Sequence, residues 1–394
     1  MDKHLGNITP YGDSLLIDPK KLWRWYHDSL SGFLDPDVVK RRHEHDFTIK
    51  EKGVEKTIRV PIFSIEDMGE KMAIDEKKIG EEMHTILSNR QTGKIALLAQ
   101  SVSAKELIHL LPKFNLKGFD VKSITRDLSP SYDWFCRQVF CNSLHVADKF
   151  HIIKELLDSC QDVRVRYRQE LLTDRRLKYE EFKKQEHQRK QECKKKNQAF
   201  IAQKFVYKEP KAVNDESLFE LLARSRYLLY KYPDDWTDTQ RKRSIALFKH
   251  YPEIEKSYNL SCDFRTWYRK ENVGKNKDEL RNRLKQWYLD VETAAVMEME
   301  NFKSLVERNE AMILNYFVKG ETNAKAEGIN SKIQRFIMIN QGTRDREFFY
   351  FRLSKLGFSK ILMENNYLCH FIIIIIFYGF YRICQGIVTY RRLF

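Results

Sequence analysis

KMAIDEKKIGEEMHTILSNRQTGKIALLAQS, residues 71–101, decides the fold. KMAIDEKKIG, EMHTILSN and KIALLAQS each read as a strand, the last two joined by Arg90, Gln91, Thr92 and Gly93, a natural hairpin loop. Downstream, SAKELIHLLPKF reads as a helix, because Leu107, Ile108, Leu110 and Leu111 lay one apolar face against a sheet. VKSIT then reads as a strand, SYDWFCRQVF as a helix, SLHVA as a strand, and FHIIKELLDS as the start of a long helix. The order is three strands, helix, strand, helix, strand, helix. An antiparallel meander followed by two crossover units is the pattern of a ribonuclease-H-like α/β core.

Bulk composition sets the frame around that core. A chain of 394 residues suits two or three domains, and 42% hydrophobic content is ample for burial. Lys and Arg number 70 against 55 Asp and Glu, a formal charge of +15, and such an excess most often serves a polyanion. Seven cysteines fall without a Cys-x-x-Cys pair, and Cys136 and Cys141 read as core thiols rather than zinc ligands. The odd count and the absence of a signal peptide point to a reducing cytoplasm. Residues 1–65 are expected to be helical and partly irregular; LWRWYHDSLSGFL docks as an amphipathic helix and DPDVVKRRHEHDF reads as a polar connection. From Lys56, KTIRVPIF turns strand-like.

Three carboxylates stand out by context. Asp75 lies within the first strand beside Glu76, and strand alternation sends the two side chains to opposite faces. Asp127 follows Ile124 and Thr125 at the carboxyl end of the fourth strand, where open α/β sheets bind ligands. If those strands are neighbours, the two carboxylates come close and repel unless a divalent cation neutralises them. Oxygen ligands select Mg²⁺ or Mn²⁺. Glu327 in AKAEGINSKIQRF shares a helix face with Asn330, Ser331 and Gln334, bordered by Arg335, while Ile329, Ile333, Phe336 and Ile337 form the opposite, apolar side.

Between the second and third carboxylates lies a long insert of helical composition. From Asp162 to Lys196 there are 13 Lys or Arg and seven Asp or Glu, a net charge of 13 − 7 = +6, without Gly or Pro. Such a run is commonly a solvated helix face, and beside a nuclease site it tracks phosphates, with Lys194, Lys195 and Lys196 as contacts. Arg126, Asn330, Lys332 and Arg335 are further expected DNA contacts flanking the carboxylates. Trp236, Trp267 and Trp287 read mostly as core anchors of the insert, Trp236 standing in the loop-like PDDWTD.

These segments resemble a family. ITRDLSPSY, ADKFHIIK, YPDDWTDTQRKR, SCDFRTWYRK, AKAEGINSKIQRF and GTRDREFFYFRL occur in the order seen in DDE transposases of bacterial insertion sequences, and the match is to the ISL-three group over roughly residues 65–355. The resemblance implies that Asp75, Asp127 and Glu327 form a catalytic triad holding two Mg²⁺ or Mn²⁺ ions. It implies strand cleavage and strand transfer at the terminal inverted repeats of an insertion sequence, on double-stranded DNA, by a dimer or larger assembly, and, as in related transposases with helical inserts, an aromatic residue stacking on a flipped or hairpin-end base, for which Trp236 is the candidate. Asp148 and His151 match the family's supporting Asp-x-x-His element; read as residues, they sit one turn apart at a helix start, where Asp148 can be an N-cap. The expected division is 1–65, a first core segment 66–160, an all-helical insertion 161–320, a catalytic-helix segment 321–357 and a tail 358–394.

The sequence departs from the family at both ends. Neither an amino-terminal zinc module nor a clear helix-turn-helix is legible, which assigns end recognition either to a separate polypeptide or to residues 1–60. In the tail, five consecutive Ile stand within an apolar core from Phe371 to Tyr381, too short for a membrane span of about 20 residues, and it reads as a non-native extension. The alternatives to an active transposase are a catalytically inactive DNA-binding relic or regulator and, on the tail alone, a membrane-anchored nucleic-acid protein.

Overall fold

The computed structural model describes residues 9–51, 53–110, 112, 120–212, 216–319, 324–340 and 344–357; the side chains of residues 9, 10, 319, 324–327, 329, 330, 356 and 357 lie outside that description. The apolar tail and Leu111, Lys113 and Phe114 of SAKELIHLLPKF therefore lie outside the described residues, and before them that segment is α-helical over Ala104–Leu107 and a 3₁₀ turn over Ile108–Leu110. Helices α1 (Thr9–Leu15), α2 (Pro19–Trp25) and α3 (Pro36–Arg41) precede strands β1 (Phe47–Glu51), β2 (Val54–Ile58), β3 (Ile62–Phe63), β4 (Lys71–Ile79), β5 (Glu82–Asn89) and β6 (Lys94–Ala99). After α4 (Ala104–Leu107) come β7 (Ser123–Arg126), α5 (Pro130–Val139), β8 (Leu144–Ala147) and α6 (Lys149–Lys195). The chain continues through α7 (Leu218–Arg224), α8 (Asp238–His250), α9 (Pro252–Trp267), α10 (Lys277–Ala294), α11 (Met297–Arg308), α12 (Glu310–Lys319), α13 (Ala324–Ile339) and α14 (Arg346–Gly357). From β4 to α6 the expected element order is the observed one. The described residues fall into two compact units, one built from the chain up to Val121 and from Ala324 onward, the other from Lys122–Asn323.

In the first unit the strands run in the order β3-β6-β5-β4, each pair antiparallel. The expected hairpin between β5 and β6 is present. Gly93 takes φ +80°, which a side chain would resist, and the Asn89 side chain accepts the backbone N–H groups of Gln91 at 2.8 Å and Thr92 at 3.1 Å. Ile79, Ile86, Ile95 and Leu98 of the sheet pack with Ile333 and Phe336 of α13 and with Tyr350 and Leu353 of α14. Full burial of an aliphatic or aromatic side chain contributes about 1.5–3 kcal/mol, enough to fix α13 on this face of the sheet. The apolar side assigned to α13 from its periodicity is thus the side that packs, as far as Ile333, Phe336 and Ile337 show.

The amino-terminal region is more ordered than its sequence suggests. LWRWYHDSLSGFL spans α2 and a single π-helical turn, Tyr26–Leu30, rather than one regular helix. Tyr26 and Phe33 pack against Phe348 of α14, and the His27 Nε2 lies 3.0 Å from Asp345 Oδ2. The stretch read as a polar connection holds α3 and the first residue of β1, Phe47, and β1 pairs with β2 as an antiparallel hairpin. These two strands are exposed along most of their length, and the strand-like stretch read from Lys56 falls on the end of β2 and on β3.

In the second unit β7 and β8 are parallel, with Thr125 opposite Val146 and Arg126 opposite Ala147, joined by the crossover helix α5. Helix α6 runs 47 residues, about 70 Å at 1.5 Å per residue. Its first turns bury Ile152, Leu156, Cys160 and Val163 among α7–α12. An aromatic cluster of Phe264, Trp267, Trp287 and Phe302 centres the helical core. The indole N–H of Trp267 donates to the Leu280 carbonyl and that of Trp287 to the Leu260 carbonyl, each at 3.0 Å, so both rings are buried without an orphaned donor. This unit takes in β7, α5 and β8 together with the helices after residue 161, because β8 packs on α12 and the Asn315 side chain donates to the His145 carbonyl at 2.9 Å.

Candidate functional site

Asp75 sits in mid-β4, partly buried, while Glu76 is exposed on the other face, as strand alternation requires. Its cross-strand partner is Ile86, and directly opposed residues share a sheet face. Ile86 packs with Ile333 and Phe336, so Asp75 lies on the sheet face that α13 covers. The Asp75 Oδ1 accepts from the Glu76 backbone N–H at 2.8 Å, and Lys77, two residues on and therefore on the same face, brings its Nζ to 3.8 Å from Oδ2. Lys77 was not singled out from the sequence, although the period of two was signal enough to find it.

Asp127 follows directly on β7 and is partly buried. Its Oδ1 accepts the Ser129 backbone N–H at 3.0 Å, an Asx turn that leads into the first turn of α5. The turn fixes the carboxylate at the carboxyl end of the strand, the position expected of it. Glu327 lies in α13, and its side chain and that of Asn330 fall outside the described residues. On the same helix Ser331, Lys332, Gln334 and Arg335 are exposed, so the polar face assigned to α13 is open to solvent at these positions. Among the described residues no group of three or more His, Cys, Asp or Glu is placed to hold a metal ion. The donor chemistry itself, partly buried carboxylate oxygens held by backbone N–H groups, suits a hard divalent cation.

Asp148 is the N-cap of α6, its Oδ1 accepting from the Phe150 backbone N–H at 2.9 Å. His151 is half-buried in the first turn, edge-on to the Phe150 ring at 5.6 Å. The capping role read from the sequence is the one seen here.

Two expected DNA contacts are corrected. Arg126 is 2% exposed, its guanidinium bonded to the Asp133 carboxylate and, at 3.1 Å, to the Asp127 carbonyl, so it is not a surface phosphate ligand. Burial pushes its pKa down and Asp133 pushes it back up. Trp236 is not a free stacking platform: its indole N–H donates to the Leu228 carbonyl at 2.8 Å and its ring stacks on Tyr258 with centroids 5.3 Å apart. PDDWTD reads as a loop from its turn residues, but the ring at its end folds inward. Lys194, Lys195 and Lys196 are exposed at the carboxyl end of α6, where cations also favour the helix dipole. Cys136 is buried, its thiol pushed up to about 12, whereas Cys141 is exposed and not the core thiol expected. The sequence reading also passed over Arg137 and Arg308, which line a cavity with Arg126 and His145. They are 171 residues apart at the extremes, and no local pattern links them.

A family model described as transposase matches residues 72–353, most of the chain. The chain belongs to that family, the ISL-three group of transposases. Membership makes it a DNA-binding protein of transposition. No curated protein matches it. No helix among the described residues is long and apolar enough to cross a membrane.

Proposed function

We infer that this chain cuts and joins DNA at the ends of an insertion sequence, with Asp75, Asp127 and Glu327 as the catalytic carboxylates. The observation that carries the reading is the placement of Asp75 on the sheet face against which the Glu327 helix packs, fixed by the Asp75 and Ile86 register. Asp127, at the end of β7, completes the set in a ribonuclease-H-like core interrupted by the helical insertion. The three side chains would hold Mg²⁺ or Mn²⁺, two ions in all, which when bound supply activation of the attacking oxygen and stabilisation of the leaving one.

The residues' own part is orientation. The Glu76 and Ser129 backbone N–H groups hold Asp75 and Asp127 in place before substrate arrives, which removes a reorganisation cost from the reaction. Lys77, its Nζ 3.8 Å from Asp75 Oδ2, offsets part of the Asp75 charge. Water attacks the scissile phosphorus, forming a new P–O bond as the bond to the 3′ oxygen breaks, and leaves a 3′-hydroxyl and a 5′-phosphate. In strand transfer that 3′-hydroxyl attacks a phosphorus of the target strand, giving up its proton as the new P–O bond forms, and the target's own bond to its 3′ oxygen breaks to leave a target 3′-hydroxyl. Asp148 and His151 act near this site as supporting residues, and two ends joined in one event require at least two chains on the DNA.

The test is Mg²⁺-dependent cleavage and joining of labelled transposon-end duplex, comparing the native chain with Glu327→Gln and adding any protein encoded beside it. Activity lost in the variant with DNA binding retained supports the reading. If both fold and bind yet neither reacts, the chain is a DNA-binding relic.

A further inference from the structure

The buried turns of α6 end at Arg164, and from Thr173 to Lys195 the helix runs on for about 33 Å at 1.5 Å per residue. Among the described residues, the side-chain bonds and ring contacts of that stretch come from α6 itself and from the returning segment 199–210. Asn197, at φ +54°, turns the chain back. Phe205 then packs on Tyr179 and Phe182 with ring centroids 5.1 and 5.4 Å apart, the Tyr207 hydroxyl donates to Asp174 at 2.7 Å, and the Gln203 backbone N–H donates to Glu186 at 3.2 Å. A helix with so little apolar surface to bury takes its order from such ties, so the arm holds its shape. Its charges are sorted as well. Four carboxylates are answered within the arm, Asp174 by Lys178, Glu180 by Lys183, Glu186 by Arg189 and Glu209 by Arg175. Arg176, Lys184, Lys190 and Lys194 are exposed and have no carboxylate partner among the described residues. At about 100° per residue these four fall within an arc of about 120°, along about 27 Å, and the one acid in that arc, Glu180, is the partner of Lys183. The same helix begins beside Asp127, because its N-cap, Asp148, donates its backbone N–H to the Arg126 carbonyl at 2.8 Å.

We propose that this arc tracks the phosphates of duplex DNA about 12–20 base pairs from the reacting phosphate. Solvent-facing cations along one side of a rigid rod, with most of its carboxylates paired inside it, suit a linear polyanion, and the DNA that this family binds is one. The distance follows from the helix. Arg176 and Lys194 lie about 40 and 68 Å along the axis from Lys149, the first residue of α6, and a duplex rises about 3.4 Å per base pair. The placement rests on the carboxylate reading above, which puts the reacting phosphate at Asp127, whereas the contact itself rests on the arc. Phosphate contacts position a duplex without reading its sequence, so the arm adds affinity and fixes the direction in which the DNA leaves the site.

The experiment is binding of the full chain, in chelator so that nothing is cut, to a duplex carrying the element's end. Arg176→Gln with Lys184→Gln and Lys190→Gln is compared with Lys242→Gln, Lys249→Gln and Lys285→Gln, three exposed cations of α8 and α10. Both variants lose the same charge. The first alone should lower the slope of log affinity against log salt by about 2 to 3, at roughly 0.9 per phosphate contact. It alone should also lose hydroxyl-radical protection about 12–20 base pairs to one side of the element's end. A further variant, with residues 176–205 replaced by Gly-Ser-Gly-Ser, ends the arm at the Asp174 and Tyr207 contact and should lose the same stretch of protection. Circular dichroism checks that each variant folds. Equal losses in the two charge variants would mark the protein's overall field and overturn the proposal. Protection that persists in that stretch, or that is lost elsewhere on the duplex instead, overturns it too. Because no metal is present, failure here leaves the cutting reading untouched, and failure of cleavage leaves this result standing.

Discussion

Replacing Trp236 by Ala separates a structural ring from a DNA-stacking one. In the structure the ring stacks on Tyr258 at 5.3 Å, lies 6.2 Å from Phe248, and donates its indole N–H to Leu228 at 2.8 Å. Truncating a core Trp costs about 3–5 kcal/mol. Trp236 is only partly buried, so the burial share is smaller. The lost hydrogen bond adds about 1 kcal/mol and the lost ring pairs about 0.5–1.5 kcal/mol each. Together these put Trp236→Ala at about 2–4 kcal/mol of destabilisation. Trp236→Phe keeps most of the stacking and loses one of the two N–H groups on the Leu228 carbonyl, the Lys231 backbone N–H at 3.2 Å remaining, for about 1 kcal/mol. Urea denaturation of both variants, followed by far-ultraviolet circular dichroism, gives the two values, and DNA affinity measured well below the transition gives the comparison. The folded variants should bind DNA as the native chain does. A Trp236→Ala protein within about 0.5 kcal/mol of native stability that binds DNA several-fold more weakly would refute the packing argument.

Further outcomes follow from other contacts. Asp148→Ala should lose about 1 kcal/mol as the α6 cap goes, whereas Asp148→Asn, an equally good cap, should keep it; loss of strand transfer in the Asn variant would then report a role beyond capping. His84 is buried on β5 with its Nε2 2.8 Å from the Tyr350 hydroxyl, and burial holds its pKa below the ordinary 6.5. The unfolded chain therefore takes up a proton first as pH falls below 6.5, so stability should drop through that range and level off once the folded protein is protonated as well. His84→Gln should flatten that slope in melts taken across the range. Converting Lys194, Lys195 and Lys196 to Ala should lower the slope of log affinity against log salt by about 2 to 3, at roughly 0.9 per phosphate contact, and an unchanged slope would remove the end of α6 from the DNA interface.

The sequence by itself determined what local pattern carries. Alternation and turn residues gave the β4-β5-β6 meander and its hairpin, the crossover through α5, and the long helix opening at Asp148. The 3.6-residue period gave the apolar side of α13, because burial on one face leaves that period in any helix that packs. It also put Asp75 and Asp127 in a strand and at a strand end. Tertiary structure decided the rest, where partners lie far apart along the chain. His27 meets Asp345 across 318 residues, which turns an unreadable amino-terminal stretch into part of the first unit. Arg126 looks like a phosphate contact beside Asp127 until Asp133 and the surrounding core bury it. Trp236 looks exposed in a run of turn residues until Leu228 and Tyr258 claim both its N–H and its face. Exposure and pairing are properties of the assembled core, and no window of residues along the chain contains them.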